Sequence, residues 1–183
     1  MRIQLDAVKE TGLKIEFGLD PLTDEGLSAV VQSGEARFLG PVHAQLDLHP
    51  VSDTIEVRGR LSVLLRLSCA RCLTEFEQPV DCDLRCTYAP RPPERQHPKA
   101  GDLELSADDV GLIFFDGHAI DLSEAVREEI LAAIPYRALC QPECRGLCPH
   151  CGANLNTETC DCAAGRIDPR LAGLTRLKNQ LKT

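Results

Sequence analysis

Apolar and polar residues alternate through most of the first half of the chain, the two-residue period of a strand with one buried face. "MRIQLDAV" and "LKIEFGL" read as two N-terminal strands. "VHAQLDLHP" is a third, with Val42, Ala44, Leu46 and Leu48 on one face, and "TIEVRGRLSVLLRLSC" is a longer fourth. "TEFEQPVDCDLRCTYA" is expected to pair back against it through a turn at Ala70–Leu73. Between Asp20 and Gln32 the pattern predicts a short helix, since Pro21 suits a first turn and Leu22, Leu27, Val30 and Val31 share one side. Further on, "GLIFFDGHAIDL" predicts a hairpin, Asp116–Gly117 being the dipeptide that a tight type I′ turn prefers. "DLSEAVREEILAAIPY" predicts a helix near residues 121–134. Asp121 and Glu124 have capping-box spacing, Val126, Ile130 and Ile134 form a stripe, and Pro135 stops it. A last amphipathic helix, Pro169–Leu181, is expected in "DPRLAGLTRLKNQLK", with Asp168 as N-cap and Leu171, Leu174, Leu177 and Leu181 as its stripe.

These elements predict an α+β protein: a mainly antiparallel curved sheet or open barrel, few helices, and a small C-terminal zinc-binding module. The expected division is a β-rich domain over residues 1–135 and a Cys-rich module with the amphipathic helix over 136–183. "PRPPERQHPKAGD", residues 90–102, has four prolines and no periodicity, and reads as a flexible loop or disordered excursion.

At 183 residues the chain is long enough for one domain with a core of its own and a small appended module. Its net charge of -8 excludes a polyanion binder driven by bulk charge. The charge is unevenly spread, however. Residues 101–130 carry nine acids against Arg127, whereas from Gly165 onward five bases face Asp168 alone. The first ten residues already alternate like a strand rather than a secretory leader, and no apolar run approaches the roughly 18 residues of a membrane span. The expected compartment is therefore the cytosol, where clustered cysteines hold metal more often than they form disulfides.

Six of the ten cysteines crowd into "CQPECRGLCPHCGANLNTETCDC", residues 140–162. In "CPHCG" two thiolates separated by two residues reach one metal across a tight turn that Pro149 stiffens and Gly152 permits. Zinc takes four such ligands in a tetrahedron, so Cys148 and Cys151 need two more from Cys140, Cys144, Cys160 and Cys162. Spacing alone does not choose among these. Cys144 with Cys162, or the Cys160/Cys162 pair, is favoured, and a two-metal site with shared thiolates is the lesser alternative. Leu147, Leu155 and a few alanines are too little to form a core, so a structural zinc, one per chain, is the expected source of order here. His150 reads as an exposed knuckle residue, because four thiolates suffice without it. Cys69 and Cys72 form a second C-x2-C pair, which alone is weaker evidence. It reads as half of another metal site, a thiol pair or two small residues at a turn; Cys82 and Cys86 are candidates to complete a set of four, but lie well along the returning strand.

Enzyme chemistry finds little support. There is no G-x-S-x-G, no phosphate-binding glycine loop and no H-E-x-x-H. Asp102, Glu104, Asp108 and Asp109 are candidates to hold Mg²⁺ for a nuclease, but a solvated acidic face is far commoner. Arg71, with Arg170, Arg176 and Lys178 on the polar side of the last helix, are candidates for contact with RNA or a protein partner.

Taken in order, "RLSCARCLTEFEQPV", "IDLSEAVREEILAAIPYRALC", "CRGLCPHCGANLN" and "DPRLAGL" resemble the YceD family of large ribosomal RNA subunit accumulation proteins, in the form with a cysteine-rich C-terminus. The resemblance implies a bacterial cytosolic protein needed for normal levels of 23S rRNA, hence a ribosome biogenesis factor. It carries over no catalytic residue, and Cys82 and Cys86 are not part of the pattern. The expected partner is a ribosomal protein or rRNA-processing factor, to which the acidic middle segment offers charge complementarity. Direct contact with the 23S rRNA precursor is the alternative; neither a membrane nor a small-molecule substrate is expected.

Overall fold

The computed structural model describes residues 1–91 and 111–162. In chain order the elements are β1 (Arg2–Gln4), a 3-10 turn (Leu5–Ala7), β2 (Leu13–Leu19), α1 (Glu25–Ser33), β3 (Arg37–Phe38), β4 (Val42–Val51), β5 (Thr54–Ser68), β6 (Glu75–Pro90), β7 (Leu112–Phe115), β8 (Ala119–Asp121) and α2 (Leu122–Ala133). The expected C-terminal helix at 169–181 lies outside the described residues, as does nearly all of the proline-rich stretch.

Strict alternation in β4, β5 and β6 builds the main sheet. On β5, Val57, Leu61, Val63, Leu65 and Leu67 are buried, and on β4 Val42, Ala44, Leu46 and Leu48 lie on the same face. The sheet runs β2-β4-β5-β6-β7, with β3 pairing β5 beyond the end of β4. It is open, with β2 and β7 at its ends, and every pairing is antiparallel except β6 with β7. Gly59 marks the closest approach of β4 to β5: a Cβ there would stand 2.1 Å from the carbonyl oxygen of Gln45, so no side chain fits.

Helix α2 covers the apolar face through Leu122, Ala125, Val126 and Ile130, all buried with the strand residues. Its N-cap is Asp121, whose carboxylate accepts from the Ser123 N–H at 3.0 Å. Helix α1 starts four residues later than Pro21, because Asp24 caps it by accepting from the N–H groups of Gly26 and Leu27. Leu22 consequently stays outside the helix and is 75% exposed. The other oxygen of Asp24 accepts from Arg127 of α2 at 3.0 Å, so one carboxylate caps one helix and pairs with the other.

Two expected pairings are replaced by others. "GLIFFDGHAIDL" is not a hairpin: β7 lies parallel to β6, whereas β8 pairs with β1 in a separate two-stranded ribbon. Gly117 does make a turn with φ +80°, but the strands it joins each satisfy their backbone groups on a different, sequence-distant partner. For the same reason "MRIQLDAV" gives only three strand residues and does not join the main sheet.

Two compact units are present, Met1–Ala70 with Thr74–Cys140, and Arg71–Leu73 with the chain from Gln141 onward. The second contains Cys72, Cys144 and Cys148 as its buried apolar side chains among the described residues, with no buried aliphatic or aromatic group. Backbone hydrogen bonds shape its turns: Leu147 N–H to the Arg71 carbonyl, Cys148 N–H to Ala153, Leu155 N–H to Gly146 and Gly152 N–H to Cys148.

Candidate metal centres

Each cysteine pair sits on a local turn that the sequence dictates. In "CPHCG" the chain reverses with the Gly152 N–H donating to the Cys148 carbonyl at 2.9 Å, and Gly152 takes the left-handed φ of +76°. "CARCL" makes the corresponding turn between β5 and β6, where the Cys69 N–H donates to Thr74 at 3.0 Å. At the position matching Gly152 stands Leu73, with φ +60°. A leucine in this region costs about 1 kcal/mol, which persists only where the surroundings impose the turn. Leu73 is 67% exposed, so its side chain does not impose it. A Leu73→Gly variant is therefore expected to fold with unchanged or slightly higher stability, while Leu73→Val should lose roughly 2 kcal/mol, β-branching being least tolerated at positive φ. Thermal melts of the two variants would check this.

The sulfurs of Cys69, Cys72, Cys140 and Cys144 all lie within 4.8 Å of one another, and so do those of Cys148, Cys151, Cys160 and Cys162. None of the ten cysteines is in a disulfide. Zinc–sulfur bonds of about 2.3 Å in a tetrahedron require sulfurs about 3.8 Å apart, which both groups accommodate. Each tetrad is thus positioned to bind a metal ion.

Electrostatics agree with a cation in the second group. The backbone N–H groups of Cys151 and His150 hold the Cys148 thiol well below its ordinary range, while Cys148 and Cys151 push their neighbours Cys160 and Cys162 up. Four thiols crowded together cannot all ionise, and a divalent cation is what relieves the conflict. In the first group the donor is neutral: the Asn156 side chain gives an N–H to Cys144 Sγ at 3.3 Å. That amide is held from both ends, because its oxygen accepts from the Arg145 N–H and the Gln141 side chain, and Asn154 accepts from its nitrogen.

The six clustered cysteines of the sequence therefore divide between two sets. Cys148 and Cys151 meet Cys160 and Cys162, one of the favoured combinations, but Cys144 groups with Cys69, Cys72 and Cys140 rather than with Cys162. The single expected centre becomes two groups of four. Cys82 and Cys86 belong to neither: they face the core opposite Leu61 and Val57, and burial, followed by the Glu129 charge, pushes the Cys86 thiol up to about 11. His150 is exposed and also belongs to neither group. Arg71 has a local bond, donating to the Cys144 carbonyl at 2.7 Å. Arg170, Arg176 and Lys178 lie outside the described residues, as do Asp102, Glu104, Asp108 and Asp109. Sequence reasoning passed over Asn156 and the pairing of Cys69/Cys72 with Cys140/Cys144. The available signal was numerical: the ten cysteines occur as five close pairs, more than enough for two complete sets.

Residues 57–178 match the family model described as large ribosomal RNA subunit accumulation protein YceD. An uncharacterised protein of Mycobacterium tuberculosis is 30% identical over 133 residues, 72% of this chain and 59% of that protein. A chloroplastic protein of Zea mays named large ribosomal RNA subunit accumulation protein YCED homolog 1 is 28% identical over 181 residues, covering 87% of this chain and 60% of its own length. The Arabidopsis thaliana protein of the same name is 27% identical over 160 residues, 78% of this chain and 50% of that protein. The chain thus spans about three-fifths or less of the length of these curated relatives. No solved structure matches it. Among the described residues no helix is long and apolar enough to cross a membrane.

Proposed function

Because the chain belongs to the YceD family, we propose that it is a non-catalytic ribosome biogenesis factor of the bacterial cytosol that supports accumulation of 23S rRNA. The match over residues 57–178 carries this reading, since it includes the β5–β6 turn, α2 and both cysteine groups. Zn²⁺ is the proposed metal in both groups. It favours four thiolates in a tetrahedron, and closed sets without an open ligand position suit a structural ion rather than a catalytic one.

A protein partner, ribosomal or rRNA-processing, is favoured over direct contact with RNA. The cations of the sheet surface are largely compensated: Lys14 pairs with Asp47, Arg58 with Glu56, Arg60 with Asp83 and Arg66 with Glu77. A trench of about 760 Å³ across β2, β4, β5 and β6 has Lys14, Arg58, Arg60 and Arg85 interleaved with Glu16, Asp47 and Asp83. A phosphate backbone laid there would meet nearly as many carboxylates as cations. Stacking surface is also scarce, since among the described residues Tyr136 is the one exposed Phe or Tyr side chain.

Deletion of the gene is expected to lower 23S relative to 16S rRNA, with restoration by the wild-type chain. An unchanged ratio would contradict the proposal. Affinity capture before and after nuclease treatment separates the modes of action: a partner kept after nuclease supports protein docking, and one lost supports binding through RNA.

A further inference from the structure

We propose that the Cys148/Cys151/Cys160/Cys162 group is an oxidation site at which a hydroperoxide releases the bound metal, whereas the Cys69/Cys72/Cys140/Cys144 group retains its own. This inference rests on the reading that both groups hold metal, and it concerns what distinguishes them. In the first group Cys69 is 0% and Cys144 2% exposed, Cys72 is buried and Cys140 half-buried. The Cys144 sulfur in addition accepts the Asn156 amide, and a hydrogen-bonded thiolate is a weaker nucleophile. In the second group only Cys148 is buried; Cys160 and Cys162 are half-buried, and Cys151 is exposed. Cys151 is the one exposed residue of the eight, so it is where a small oxidant meets this group first. Susceptibility to oxidation follows thiolate character and exposure together, and a metal-bound cysteine at the surface has both.

The chemistry needs only the peroxide. The Cys151 thiolate attacks one peroxide oxygen, the O–O bond breaks, hydroxide leaves, and Cys151 becomes a sulfenic acid. A second thiolate of the same group then attacks the Cys151 sulfur and displaces another hydroxide, leaving a disulfide. Two thiolates have lost two electrons, one peroxide has become two hydroxides that protonate to water, and the cation keeps only two ligands. With two of four ligands gone the metal leaves. Residues 148–162 contain no buried aliphatic side chain to take over, so oxidation is expected to loosen this segment.

The test uses the full chain as purified, with its metal content measured first, then titrated with hydrogen peroxide in the presence of a metallochromic dye. One metal equivalent should appear about tenfold or more faster than any second. Peptide mapping should place Cys151 in an intramolecular disulfide while Cys69, Cys72, Cys140 and Cys144 are recovered as thiols. A Cys151→His variant, which keeps four donors, should retain metal and lose the fast phase. Release of both equivalents at one rate, or recovery of Cys151 as a thiol after the first release, would overturn the inference and leave the metal reading standing. A chain purified without metal would overturn both.

Discussion

Replacing Cys148 by Ser is expected to remove one metal equivalent and the order of residues 148–162, while the β-sheet unit stays folded. Apparent binding energies for structural zinc in small modules are on the order of 10 kcal/mol, and losing one of four thiolates forfeits several of them. Nothing else in this segment offsets that loss. Its buried apolar side chain is Cys148 itself, and Leu155 is only half-buried. The sheet unit has its own core in Leu46, Leu48, Val57, Leu61, Leu65 and Ile130. Hydrogen exchange should therefore show protection lost over 148–162 and kept in β4 and β5. Cys82→Ser is the control: Cys82 belongs to neither group, and its thiol is pushed up by burial, so the metal content should not change. Full protection of 148–162 in the Cys148→Ser chain would contradict a metal as the source of order.

The second large effect is expected at Asp24. Its side chain is 7% exposed, and it both caps α1 and accepts from Arg127. Asp24→Ala loses the cap, worth about 1 kcal/mol, and leaves the mostly buried guanidinium of Arg127 without its carboxylate. Together these should cost about 3 kcal/mol, discounted because part of Arg127 reaches solvent. For a unit of this size the melting temperature should fall by on the order of 10 °C. Asp24→Asn keeps an acceptor for the helix N–H groups and should lose less. Glu25→Ala, one position on and exposed, should stay within about 0.5 kcal/mol of wild type. Equal melting temperatures for Asp24→Ala and Glu25→Ala would show that the carboxylate is not needed by either helix.

What the sequence made legible is what short-range periodicity controls. β4 and β5 alternate because one face is buried along their whole length, so reading every second residue recovers the core. Asp121 as N-cap and Pro135 just past α2 were equally readable, each acting within one helical turn. What failed was pairing between distant segments. The Asp116–Gly117 signal is a local turn preference, whereas the partners of β7 and β8 are β6 and β1, and nothing near residue 116 encodes them. At the metal centres, "CPHCG" fixed one pair, and its joining with Cys160 and Cys162 was among the readable combinations. The other group draws Cys69 and Cys72 together with Cys140 and Cys144 across almost seventy residues. A spacing rule that looks within one cluster cannot find such a set.

The most direct measurement of two metal centres is the ratio of metal to chain, by elemental mass spectrometry, combined with native thiol titration. Two zinc ions per chain are expected, with the eight thiols of the two groups protected and only Cys82 and Cys86 open to slow reaction. After chelation in denaturant all ten thiols should react. One metal or none, or protection of Cys82 and Cys86 in place of Cys69 and Cys72, would contradict the account.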